Sequence, residues 1–373
     1  AEGLNYGHLP KALLKFHKYP EGSRTALEEH LVEAVLYVKD RKRTCRVHFT
    51  VSEEHRRDVE KHLNEIRARF ERQHDVHLDI DISVQSADTD TIAVDMENRP
   101  FHDESGKLIL RPGGHGALLS NLNRLSAGDI VFLKNIDNIV PDHLKPETVV
   151  HKKVLGGYLV TLQEQIFRCL RRLASDSVDA GDLDQIVLFC REKLNIFIHA
   201  DFMTLDSASK RAMIFAKLNR PIRVCGMVRN EGEPGGGPFW VDEKEGTQSL
   251  QIVEESQVDP LSETQRSIWS AATHFNPVDI VCGIRDYRNR KHDLQQFVNQ
   301  DAFSIVRKSE KGRDVLALEL PGFWNGSMAY WITVFVEVPL ATFNPVKTVY
   351  DLLRPAHRME EAGLPGRIKQ TRS

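Results

Sequence analysis

Apolar positions along the chain recur with two periods. Over Thr25–Lys39, residues Leu27, Leu31, Ala34, Val35 and Val38 share one helical face, which predicts a helix. Arg46–Val51 (RVHFTV) alternates β-branched and polar residues and predicts a strand, as does His77–Val84. Between them, Ser52, Glu53 and Glu54 open a highly charged stretch to Gln73. A small cap and early acids suit a helix start, and the charge run reads as a solvated helix face. Asp129–Lys134 (DIVFLK) is almost continuously apolar, the pattern of a strand covered on both faces. Helices are predicted at Val160–Leu173 and Leu183–Leu194, with the small acidic stretch Asp176–Asp184 as the loop between them. Further strands are predicted at Ile222–Val228, Ser249–Val253, Ile280–Ile284, Val315–Leu320 and Val334–Val338. Strands alternating with helices imply an α/β fold, a mixed, mostly parallel sheet flanked by helices.

Composition narrows the function classes. Lys+Arg 50 against Asp+Glu 53 gives a net charge of −3, which argues against a dedicated nucleic-acid binder. No apolar run approaches the ~18 residues of a membrane span. The five cysteines are scattered without a C-x-x-C pair, so a structural zinc site is not expected. Reduced, buried thiols and a cytoplasmic location are. His48, His55, His62 and His74 read as surface or core residues rather than ligands.

Three turns carry candidate chemistry. Arg111–Gly116 (RPGGHG) precedes a helical-looking segment, Ala117–Leu125, and its glycines allow close approach of a ligand to backbone N–H groups; an ordinary loop is the alternative. Lys134–Asn138 (KNIDN) lies at the carboxyl end of the apolar strand, where ligands of open α/β sheets bind. There Asp137, flanked by Asn135 and Asn138, suits a hard Mg²⁺ ion, or else caps the next turn. Asn230–Pro238 (NEGEPGGGP) marks a tight turn, a hinge or a close ligand approach, or a plain hairpin. Of lower weight are Asp88, Thr89 and Asp90, which follow a strand, and Trp324 and Asn325 in the turn Pro321–Gly326.

Taken in order, these segments resemble the UDP-sugar pyrophosphorylases, the UDP-glucose and UDP-N-acetylhexosamine enzymes. Pro112–Gly116 (PGGHG) is similar to their uracil-holding loop, and Phe132–Asn138 (FLKNIDN) to the strand that ends in a Mg²⁺-binding Asp. Glu233–Phe239 followed by Ile252–Val258 (IVEESQV) is similar to their glycine turn and sugar-contacting Glu, with Glu254 in the Glu position. Phe275–Asn276 followed by Arg285 is similar to an F-N segment followed by a phosphate-binding Lys, with Arg in place of Lys. Leu9–Leu14 (LPKALL) is similar to the segment whose Lys contacts phosphates, here Lys11. Phrasing such as FHKYPEGSRTALEEH and NRPIRVCGMVRNEGEPGGGPF is closer still to a bacterial family of unknown function, of which the chain is identified as a member. Members of that family are longer at the N-terminus, which would place the glycine loop of the nucleotidyltransferases upstream of Lys11.

The resemblance implies a Rossmann-like, GT-A type nucleotidyltransferase fold over residues 1–353. That domain is expected to be N-terminally incomplete and to carry a helical insertion over 155–215, with a tail over 354–373. It implies Mg²⁺-dependent transfer of a nucleotidyl group from a nucleoside triphosphate, UTP favoured, to a sugar 1-phosphate, with release of pyrophosphate. The alternative is a nucleotide or nucleotide-sugar binding protein without catalysis. Lys11 and Arg285 would offset phosphate charge and Asp137 would hold Mg²⁺. Gly113, Gly114, His115 and Gly116 would meet the base. Asn138, Gly236, Glu254 and Asn276 would meet the sugar. Neither nucleic acid nor membrane is an expected partner, and the resemblance fixes neither the sugar nor the oligomeric state.

Overall fold

The protein is described here by a computed structural model. It covers residues 7–358 except 127, 176–177, 233–234 and 244–245, with backbone only at 276–277. Helix Ala26–Tyr37 begins where its cap dictates: Thr25 Oγ1 accepts from Glu28 N, and Glu28 Oε2 accepts from Thr25 N. It packs with helix Arg56–His74 on a parallel strand pair, Thr44–Val51 and His77–Val84. Leu27, Leu31, Val59, Leu63, Phe70 and Leu78 fill the space between. Each such fully buried side chain contributes ~1.5–3 kcal/mol of burial free energy.

A four-stranded sheet has the order Ile332–Glu337, Ile222–Arg229, His274–Gly283, Ile130–Leu133. Three strands run one way and His274–Gly283 runs against them, pairing Gly283 with Ile130 and Ile280 with Leu133. The strand buried on both faces is Ile222–Arg229. Its Ile222, Val224 and Val228 meet helices Lys145–Leu173, Ala180–Leu194 and Ser207–Leu218, while Cys225 and Met227 meet Leu119, Leu122 and Met328. Ile130–Leu133, expected to be covered on both sides, is only half-buried because it is the last strand of this sheet. Helix Lys145–Leu173 starts well before Val160 because the face it buries there mixes Lys145, Thr148, Lys152 and Gly156 with Val149, Leu155 and Leu159, and helix Ala180–Leu194 starts one turn before Leu183 because that turn holds no large apolar residue.

A second, antiparallel sheet has the order Ser304–Glu310, Arg313–Glu319, Thr91–Val94, Leu110–Arg111. Of these, only Arg313–Glu319 was anticipated from sequence. This sheet sets two loops side by side, the one after Leu110–Arg111 and the one after Arg313–Glu319. Four of the five cysteines are buried and all five are free thiols. No described helix is long and apolar enough to cross a membrane.

Candidate functional site

The strand Ile130–Leu133 delivers its chain to Lys134, whose Nζ donates to both carboxylate oxygens of Glu33 at 2.6 and 2.7 Å. Both groups are buried. Burial would raise Glu33, but Lys134 and Lys152 hold it down to about 2, and burial pulls Lys134 down to about 8. Lys152 is also bonded to buried Asp279 of the neighbouring strand, so helix Ala26–Tyr37, helix Lys145–Leu173 and the sheet are tied together by ion pairs under the turn that follows.

That turn, Asn135–Asn138, is laced to a distant segment. Asn344 N donates to Asn138 Oδ1 at 2.8 Å, Asn138 Nδ2 donates to Thr342 O at 3.3 Å, and Val346 N donates to Asp137 O at 3.0 Å. The lacing brings Lys347 over the turn. Its Nζ lies 2.9 Å from Asp137 Oδ2, and Lys11 Nζ reaches the same oxygen at 3.2 Å while donating to Val346 O at 3.0 Å. Two ammonium groups therefore face one nearly buried carboxylate.

A cavity of about 360 Å³ opens beside them, lined among others by Asp137, Asn138, Gly236, Glu254, Trp324 and Lys347. Gly236 is there for packing: a Cβ would sit 2.7 Å from Val253 O and 3.1 Å from Glu254 Cγ, so the turn lies directly on the strand end that presents Glu254. Trp324 closes one side. It stacks on His115 with ring centroids 5.4 Å apart, and its carbonyl accepts from fully buried Arg223 at 2.6 Å. His115 Nδ1 in turn accepts from Phe323 N at 3.0 Å. Asn325 Nδ2 donates to Ile252 O at 2.8 Å, tying this turn to the Glu254 strand.

Asp137, Asn138, Gly236 and Glu254 are thus brought together, with Lys11 joined to them through Asp137. His115 reaches the cavity only through Trp324. Gly113, Gly114 and Gly116 do not line it. A Cβ on Gly113 would run into Thr89 O and one on Gly116 into Pro321 O, so the close approach these glycines allow is to the protein's own backbone. Only Gly114, at φ +73°, needs glycine for its conformation. Arg285 is not brought to the cavity. It pairs with Asp129 at 2.8 Å, at the opposite end of the strand that leads to Asp137. The strand His274–Gly283 runs antiparallel to Ile130–Leu133, so its continuation leaves at the far edge. The side chain of Asn276 lies outside the described residues. Asp88 is exposed, 3.7 Å from Arg124, and Thr89 and Asp90 stand with it away from the cavity. Lys347 is the residue that sequence reasoning missed. Its one signal is a lysine in NPVKT, a segment with no periodic pattern.

Among solved structures, the chain is similar to the UDP-glucose pyrophosphorylase of Leishmania major. The structure in open and closed forms matches at 17% identity and a TM-score of 0.50, over 96% of this chain and 64% of that one. A V402W variant of that enzyme matches at 16% identity and a TM-score of 0.48, over 92% and 61%. A putative UDP-N-acetylglucosamine pyrophosphorylase from Entamoeba histolytica matches at 11% identity and a TM-score of 0.45, over 94% and 74%. The chain therefore spans less than two thirds of the Leishmania enzyme's length, and the likeness is one of fold, that of the UDP-sugar pyrophosphorylases. No curated protein matches. A family pattern described as a domain of unknown function, DUF4301, matches residues 1–358, and the chain belongs to that family.

Proposed function

We propose that the cavity binds a nucleoside diphosphate sugar and that the protein is a nucleotidyltransferase, joining a nucleoside triphosphate and a sugar 1-phosphate with release of pyrophosphate. The observation that carries this reading is the convergence of Lys11 and Lys347 on Asp137 at the carboxyl end of a strand, beside Glu254. Two ammonium groups suit a diphosphate, a carboxylate across the cavity suits sugar hydroxyls, and an aromatic wall suits a ring. The fold likeness and the order of motifs in the sequence support the same reading. The uracil preference rests on the motif resemblance alone, since the loop that carries it, Pro112–Gly116, packs on the protein's own backbone.

In such a transfer, an oxygen of the sugar 1-phosphate attacks the α-phosphorus, and the bond to the pyrophosphate oxygen breaks. The side chains align the partners and offset their charge. Lys11 and Lys347 would donate to phosphate oxygens from their places beside Asp137, and Glu254 would accept from sugar hydroxyls. Among the described residues, no three His, Cys, Asp or Glu side chains form a metal-ligating group. Asp137 is the residue that would hold a Mg²⁺ ion arriving with phosphate oxygens and water, and the ion would supply charge neutralisation there.

The test has two arms. Calorimetric titration with UDP-glucose, UDP-N-acetylglucosamine and ADP-glucose is expected to give binding that Lys347→Met weakens at least tenfold. Pyrophosphate release is then followed over a panel of nucleoside triphosphates and sugar 1-phosphates with Mg²⁺. Absence of binding to any nucleotide sugar overturns the reading. Binding without turnover on any pair favours a nucleotide-sugar binding protein instead.

A further inference from the structure

Behind the segment that carries Lys347 lies a buried chain of side chains that the site chemistry does not use. His17 is 2% exposed and His357 is 4% exposed, and their rings stack at 5.3 Å between centroids. His17 Nδ1 lies 2.9 Å from Glu29 Oε1, His17 Nε2 lies 3.0 Å from His357 Nδ1, and His357 Nε2 lies 3.1 Å from Asn344 O. Asn344 is the residue whose N–H is bonded to Asn138, three positions before Lys347.

The count of protons follows from the geometry. Three hydrogen bonds in series, with an oxygen acceptor at each end, need three N–H groups, and two neutral imidazoles supply two. With two, one contact becomes a lone pair facing a lone pair, buried and unsatisfied. We propose that His17 and His357 together hold one extra proton, and that this proton pins the segment Asn344–Lys347 against the cavity turn. In this arrangement His17 is the imidazolium, donating to Glu29 and to His357, and His357 is neutral, donating from Nε2 to Asn344 O. The two are positioning residues. Only the consequence for ligand affinity rests on the nucleotide-sugar reading.

The surroundings agree with that assignment. Burial and the neighbouring charge on His17 push His357 down to about 4, which makes it the neutral ring. Burial would raise Glu29, but its bond to His17 and the Lys145 ammonium keep it below the usual carboxylate range and ionised. Tyr19 Oη donates to Glu29 Oε1 at 2.7 Å, Lys145 is bonded to Glu29 Oε2, and Arg24 lies 3.7 Å from it. Asp142 is paired with Arg24 and Lys145, Glu21 with Arg24, and Asp351 with Arg354.

The test uses the full chain with ¹⁵N-labelled histidine rings. At neutral pH, His17 is expected to show both ring nitrogens protonated and His357 only Nε2, with a scalar coupling across the ring-to-ring hydrogen bond. That coupling identifies the pair even where a His17→Gln or His357→Gln variant does not fold. Two neutral rings at neutral pH overturn the proposal. As pH rises and the proton leaves, amide protection at Asn344 and Val346, corrected for intrinsic exchange, is expected to fall at least tenfold in the wild type. In His357→Gln it should already be low and stay flat. The same pH course in both proteins also overturns it. The affinity for UDP-glucose should fall with that protection. An imidazolium at His17 in a protein that binds no nucleotide sugar supports the pair and counts against the proposed function.

Discussion

Replacing Asp137 by Asn should change nucleotide-sugar affinity in opposite directions with and without Mg²⁺. Oδ2 of Asp137 lies 2.9 Å from Lys347 Nζ and 3.2 Å from Lys11 Nζ. A phosphate oxygen bonded to either ammonium at about 2.8 Å would then stand about 5–6 Å from the carboxylate. At that separation two negative charges repel by about 3 kcal/mol at an effective dielectric of about 20. The cavity opens to solvent, and halving the figure for screening leaves about 1.5 kcal/mol. Removing the carboxylate charge in chelator should therefore tighten UDP-glucose binding by about tenfold. With Mg²⁺ present the carboxylate is a ligand rather than an obstacle, and the variant should bind at least tenfold more weakly than the wild type. Two calorimetric titrations of each protein, one in chelator and one in excess Mg²⁺, decide the matter. A change of the same sign in both would refute the charge argument, and no change in either would remove Asp137 from the site.

Lys347→Met should cost roughly 1.5–3 kcal/mol in nucleotide-sugar binding, the strength of a hydrogen bond to a charged group. It should barely move the melting temperature, because the side chain is 63% exposed; equal losses in both would point to a structural role. Gly116→Ala should lower stability by about 1–3 kcal/mol, read from the denaturant midpoint, since its Cβ would press on Pro321 O and lie 2.9 Å from Leu320 O. A wild-type midpoint with weakened nucleotide binding would instead place that glycine against the base. Glu33 is depressed to about 2, so its contribution is complete above the ordinary carboxylate value and is lost as pH falls from about 4.5 towards 2. Glu33→Gln should accordingly lower stability at neutral pH and flatten the acid limb of the stability profile; an unchanged acid limb would show that Glu33 is not held ionised.

What was legible in the sequence followed from local physics. The apolar face of the helix after Thr25, the apolar strand before Asp137 and the glycine turn ahead of Glu254 can each be read from a short stretch of sequence, whereas the Thr25 capping box came only with the structure. Four of the chosen site residues line one cavity, and a fifth, Lys11, is bonded to Asp137. Direction and distance were not legible. Arg285 was chosen by its spacing after Phe275–Asn276, but spacing along a strand says nothing of which way the strand runs, and this one runs away from the site. Lys347 was missed because its partner lies 210 positions earlier and its own segment has neither period nor glycine signature. The RPGGHG glycines looked like ligand contacts because an open backbone is equally what a tightly packed loop needs; only the structure shows Leu320 and Pro321 filling that space.

The lacing of Asn344–Lys347 onto the Asn135–Asn138 turn has a consequence for biosynthesis. The carboxylate of Asp137 is held by lysines from positions 11 and 347, 126 residues before it and 210 after. Contacts of such sequence separation form late, after the loop-closure entropy of everything between them has been met. A ribosome that has released the central sheet has made a core but no site, since the second lysine emerges only after the sheet's last strand, Ile332–Glu337. A chain stopped just short of Asn344 would keep the sheet and helices while lacking both the second ammonium and the strap that orders the turn. Binding competence would then report that synthesis had run to the end of this segment, which foldedness alone does not.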